Sequence, residues 1–234
     1  MPIVSLNRIC EEPTQPDQYV WRFLTLAKLL DFITTKALFF SHLALAEDPY
    51  DGRPAGGLED EYLRMMGPVN LQNMRDAARM GVFVSCWHLS EHEPASMWKL
   101  YSEADGGFAI RTTYTRLRAA LDTSAHDIHL GLVNYAPEQW HYRPGSLHTL
   151  TPVWMKRPSF EHEKEVRAAM RVPEPTALRA GHYVDVPIDI LQPDVVGGPS
   201  TPGWCVSAVE RLLNQLGLPL RLSRSQLYTL QQLR

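Results

Sequence analysis

Three glutamates at alternate positions, Glu161, Glu163 and Glu165, crowd a short stretch that runs from Met155 through Lys156, Arg157 and Pro158 to Met170. On an extended backbone, period-two geometry sets all three carboxylates on one face and His162, Lys164 and Val166 on the other. On a helix, Glu161 and Glu165 share a face and Glu163 leaves it. Clustered carboxylates raise one another's pKa, which suits acid/base work or stabilisation of a developing cation. The same pattern also makes a solvated charged face held by Glu–Lys and Glu–Arg pairs, and spacing alone leaves both readings open.

Other candidates are sparser. Asp48 and Asp51 flank Pro49, where they could ligate a divalent metal or simply make an Asp-Pro turn. Ser85 and Cys86 end a strand-like run, but no GxSxG, P-loop or GxGxxG accompanies them. Gly197-Gly198-Pro199-Ser200-Thr201-Pro202 precedes a helical stretch, which makes either an anion site or an ordinary cap. Trp98 and Tyr101 lie three apart on a helix face, and the spacing predicts core packing of Trp98 with Tyr101 and Met97 against a sheet.

Cys10, Cys86 and Cys205 stand far apart, and none of the nine histidines has HExxH spacing. This usage predicts reduced thiols in a cytoplasmic protein without a disulfide scaffold or structural metal. The net charge of −3 provides no basic field for nonspecific duplex binding. Met1-Pro2-Ile3-Val4 lacks the pattern of a signal peptide. The most apolar span, Tyr19 to Ala46, is interrupted by Arg22, Lys28, Asp31 and Lys36, so no membrane crossing is expected.

The elements that must position these residues follow from periodicity. Strands are predicted at 19–24, 36–41, 82–87, 108–114, 130–135, 182–191 and 218–222. Helices are predicted after a Thr25 cap (Leu26, Leu29, Leu30, Ile33), at 71–80, 95–101, 115–121 and 204–216. Residues 53 onward, 136–158, 172–182 and 195–202 read as Gly/Pro loops. The intermixing without regular βαβ alternation predicts an α+β fold: one domain over 19–225 with a mixed, mostly antiparallel sheet flanked by helices. Residues 1–18 form a loose lead-in and 226–234 a tail.

In this order, Tyr19…Arg22-Phe23-Leu24, Leu38-Phe39-Phe40-Ser41, Asp48-Pro49-Tyr50-Asp51, Val84-Ser85-Cys86-Trp87, Met97-Trp98…Tyr101, Gly107-Phe108-Ala109-Ile110, Tyr135, Lys156 and Phe160…Glu163-Lys164-Glu165-Val166-Arg167 resemble the bacterial "domain of unknown function 2971" family. The tail from Val196-Gly197-Gly198-Pro199 through Arg224-Ser225 fits it too, whereas Glu47 stands where that family usually has Asn. The family name carries no activity.

Arg22, Ser85 and Glu163-Lys164-Glu165 also resemble, in order, the pattern of ADP-ribosyltransferases of the Arg–Ser–Glu type. That resemblance implies an enzyme that cleaves NAD and transfers ADP-ribose to a protein or nucleic-acid acceptor, in bacterial phage defence or as a toxin. Arg22 would grip the pyrophosphate, with Ser85, and with Trp87 or Phe40 covering the nicotinamide. Glu165 would stabilise the oxocarbenium ion and Glu163 would orient or deprotonate the acceptor. This arrangement requires Arg22, Ser85 and Glu165 to converge on one cleft, with Arg22 on the face of Glu165. The alternatives are a metal-dependent phosphodiester-cleaving enzyme using Asp48, Asp51 and the glutamates, and a non-catalytic binding or regulatory module in which the acidic cluster is structural.

Overall fold

The computed structural model describes residues 10–77, 79–101, 106–139, 148–172 and 180–229. Parts of the expected lead-in, of the 136–158 and 172–182 loops and of the tail lie outside the described residues. Aromatic and β-branched runs form the strands β1 (Tyr19–Leu24), β2 (Ala37–His42), β3 (Val82–Leu89), β4 (Phe108–Thr113), β5 (Ile128–Leu132), β6 (Glu165–Arg171), β7 (Gly181–Asp185), β8 (Asp194–Gly197) and β9 (Arg221–Arg224). The helices are α1 (Leu26–Thr35), α2 (Gly56–Ala77), α3 (Ala95–Tyr101), α4 (Tyr114–Leu121), α5 (Ile188–Leu191) and α6 (Gly203–Gln215).

The strands make one sheet in the order β5-β6-β3-β1-β4-β8-β9, with β2 on β3 and β7 on β2. The pairings between these strands are antiparallel except β8 with β9. The fold is thus α+β, a mixed and mostly antiparallel sheet with helices. Its distinctive feature is a fork. One edge of β3 pairs along its length with β6, but its other edge is divided. Val84 and Phe83 pair with β2, while His88 and Leu89 pair with β1. Between these pairings, at Ser85–Trp87, β1 and β2 part.

Burial explains the layers. The inner sheet face packs Val20, Phe40, Trp87, Ile110 and Met170 against Leu29, Phe32 and Ile33 of α1, and against α4, α5 and α6. Thr25 caps α1 through a bond from the Lys28 N–H to Oγ1 at 3.3 Å. The outer face is covered at two ends. Trp154 and Val153 cap Val82, Val84 and Ala169. At the other end, Trp98 of α3 caps Trp21, Ala109 and Val196.

Several expectations change. Residues 53–80 are mostly helical, because α2 begins at Gly56 and continues past a break at Gly67, whose φ of 77° only glycine adopts readily. The expected strand 182–191 ends at Asp185 and gives way to α5, and Asp194–Gly197 is strand rather than loop. Tyr101 is half exposed and stacks on Phe23 instead of joining the core.

Candidate functional site

The acidic stretch takes neither of the two simple conformations. Pro158–Glu163 is a tight 3-10 turn, Lys164 adopts left-handed φ/ψ (41°, 52°), and Glu165 opens β6. The turn is pinned to β3 by His88 Nδ1, 2.6 Å from the Glu163 carbonyl, and by the Leu89 N–H donating to Lys164 O at 2.9 Å. Burial holds the His88 pKa below its ordinary value, so it stays neutral.

At the middle of the outer face, between the two apolar caps, lies a closed ion network. Arg167, fully buried, donates from Nε to Glu165 Oε1 at 2.6 Å and from Nη2 to Glu165 Oε2 at 2.9 Å. The same guanidinium donates to both oxygens of Asp51, at 2.7 and 3.1 Å, and to the Val153 carbonyl at 2.7 Å. Lys156 donates to Glu165 Oε2 at 3.1 Å and to Glu163 Oε2. The Glu165 N–H donates to the Tyr135 hydroxyl at 2.9 Å. Burial alone would raise the Glu165 pKa, but the charges of Arg167 and Lys156 outweigh it and bring it down to about 2. Burial likewise works against the Lys156 cation, and the Glu165 and Asp51 charges more than restore it.

Beside this network Cys86 is exposed, and its thiol pKa is pushed upward, first by the protein packed around it and then by the Glu165 charge. Phe23 and Tyr101, stacked at 6.3 Å, stand near it on the outer face. Burial pushes the Tyr101 pKa up to about 12, the Glu163 charge adds to the rise and Lys156 opposes it.

Strand register decides which expected site residues meet. Directly paired residues of an antiparallel ladder point to the same face. Trp21↔His88, His88↔Glu165 and Cys86↔Arg167 therefore share the outer face. Arg22, Ser85 and Trp87, one position out of phase, belong to the inner face. The three strands that carry Arg22, Ser85 and Glu165 are neighbours, but the required convergence of these side chains on one cleft is not built.

Ser85 and Phe40 are sealed in the inner layer, as is Trp87, whose Nε1 donates to Ser85 Oγ at 3.0 Å. None of the three presents a surface to a nicotinamide. Arg22 reaches into the fork, where Nη2 donates to the Phe39 carbonyl at 2.5 Å and Cζ lies 5.9 Å from the Trp87 ring centre.

Asp48 is held by Arg157 at 2.9 and 3.2 Å, and Asp51 by Arg167. Among the described residues no group of three or more His, Cys, Asp or Glu is placed to hold a metal ion. Thr201 spends its hydroxyl on Gly107, accepting from its N–H and donating to its carbonyl, and α6 has no side-chain cap. Sequence reasoning offers Arg167 as a buried partner of Glu165 but not as the hub that also holds Asp51. The available signal was Glu165 and Arg167 two apart, hence on one face of a strand.

The network has an acid signature. Because the folded-state pKa of Glu165 is depressed, its contribution is complete above its ordinary value of 4.5 and is lost as the pH falls toward about 2. Urea titrations of the wild type should show on the order of 3 kcal/mol lost across that window, an acid limb that Glu165→Gln flattens. A wild-type limb unchanged by the substitution would contradict the assignment.

The chain matches no protein-family model and no curated protein. Among the described residues no helix is long and apolar enough to cross a membrane.

Proposed function

We propose that the chain is a ligand-binding module in which the acidic cluster is structural. The observation that carries this reading is the state of Glu165. Both of its oxygens are engaged by a buried guanidinium, it is 3% exposed, and its charge is balanced inside the network. A carboxylate so committed has little field left for a substrate cation. Glu165→Gln should lower the melting temperature by about 10 °C, as loss of one partner in a buried ion pair does in a chain of this size. Nicotinamide release from NAD should be absent in wild type and variant alike. Release by the wild type, cut at least about 10²-fold by a variant of unchanged melting temperature, would overturn the reading.

A second reading is favoured by a separate observation. Three carboxylates, Asp51, Glu163 and Glu165, face two cations, Lys156 and Arg167, leaving one formal negative charge beside the accessible Cys86. An excess negative charge next to the aromatic wall of Phe23 and Tyr101 suits stabilisation of an oxocarbenium ion. In this reading the chain transfers ADP-ribose from NAD, in a defence or toxin role. Glu163, with 14% of its side chain exposed, is then the acting carboxylate and Glu165 its support. Nicotinamide release abolished by Glu163→Gln without loss of stability is the result that establishes it; a wild type that leaves NAD intact dismisses it.

A further inference from the structure

Where β1 and β2 part, the space beneath α1 is a cavity of about 380 Å³, lined among others by Arg22, Phe23, Lys28, Phe32, Phe39 and Tyr183. Neither Glu163, Glu165, Lys156 nor Cys86 lines it. Among the described residues Arg22 has no carboxylate within ion-pair distance, and its one side-chain hydrogen bond goes to the Phe39 carbonyl. No further hydrogen bond of its guanidinium is formed among the described residues, and the side chain lines the cavity. The loss of hydration on burial lowers its pKa to about 10.

Lys28 adds a second cation with no ion pair among the described residues. The acidic lining residue Asp31 is engaged by the Tyr183 hydroxyl, at 3.0 and 3.1 Å, at the mouth. The remaining walls are aromatic and aliphatic. This is the composition of a ligand pocket: an apolar enclosure with a few convergent polar groups. The volume holds one ring system and its acid group but not two nucleotides.

We infer that this pocket binds a small organic anion with a flat apolar body, whose carboxylate, sulfonate or phosphate meets Arg22 and Lys28 while its rings lie between Phe32 and Phe39. The inference rests on the binding-module reading and names that module's ligand class. A planar guanidinium grips such an acid group through paired N–H donors, and the aromatic walls exclude the water that would compete.

The test uses 1-anilinonaphthalene-8-sulfonate as probe, titrated into the full chain by fluorescence and calorimetry. One site per chain is expected, at least about tenfold weaker in Arg22→Met and in Ala27→Trp, which fills the mouth from an exposed position on α1. Glu163→Gln should bind as wild type. 1-Naphthoate should displace the probe, and neutral 1-naphthol should do so at least about tenfold less well. Undiminished binding by folded Arg22→Met overturns the assignment. If that variant does not fold, undiminished binding by Ala27→Trp does so. Nicotinamide release, measured on the same samples, judges the module reading by a different readout, so the two failures are distinguishable.

Discussion

Arg167→Met should destabilise the protein by about 4–5 kcal/mol, the largest single effect expected in the outer-face network. Methionine fills much of the volume but removes five donors, four of which now hold Glu165 and Asp51 and one the Val153 carbonyl. Two buried carboxylates then share only Lys156, whose distance to Asp51 is 3.9 Å. The sign of the pH dependence follows. Without the guanidinium, burial dominates and raises the folded-state pKa of Glu165 above its ordinary value of 4.5. The variant should therefore gain stability as the pH falls from 7 toward 5, because the protonated carboxyl is the form the fold tolerates, whereas the wild type gains nothing from this group there. Arg167→Lys should recover only part of the loss, since an ammonium cannot serve two carboxylates bidentately. Urea midpoints at the two pH values decide it. A variant within about 1 kcal/mol of wild type at pH 7 would mean that the network is worth little.

How much of this was legible in the sequence depends on the range of the forces involved. β1, β3 and β4 announce themselves through aromatic and β-branched runs, and α1 through its cap and period, although Leu26 is exposed and Phe32 takes a core place that the period did not give it. The first half of α2 was hidden because Gly56, Gly57, Gly67 and Pro68 read as loop. In the fold, Gly67 supplies the break and Pro68 restarts the helix at a position where its missing N–H costs nothing. β8 is only four residues beside Gly-Gly-Pro, and pairing with β4 and β9 makes it a strand.

The acidic cluster shows the deeper limit. Nothing marks Lys164 for a left-handed conformation, yet that single residue puts Glu163 in a turn and Glu165 in a strand while both reach Lys156. The relative facing of Arg22 and Glu165 was beyond reach for a related reason. Strands β1 and β3 are joined by no tight turn, so their register is set by distant packing, and a shift of one residue exchanges the faces.

Trp98→Ala should cost about 3–5 kcal/mol and leave little soluble protein. The side chain is 3% exposed, meets Phe23 edge to face at 4.8 Å, and packs with Trp21, Ala109 and Val196. Its Nε1 donates to Glu93 Oε1 at 2.8 Å, so truncation also strands a carboxylate that tethers the loop before α3. The backbone has no means of closing the gap. A Cβ on Gly198 would already lie 2.9 Å from the indole, which shows how closely β8 and its following turn are fitted to this ring. Trp98→Phe, keeping most of the apolar contact while losing the hydrogen bond, should cost less than half as much, and the difference measures packing against the Glu93 bond. Phe23 ties the outcome to the site, because the ring that Trp98 supports also carries Tyr101, which lies near enough to Cys86 to feel its charge. Iodoacetamide labelling of Cys86 in folded Trp98→Phe should therefore run faster than in wild type as the aromatic wall loosens. An alanine variant that expresses, melts within about 3 °C of wild type and labels at the wild-type rate would remove Trp98 from the core and leave Phe23 to hold the wall alone.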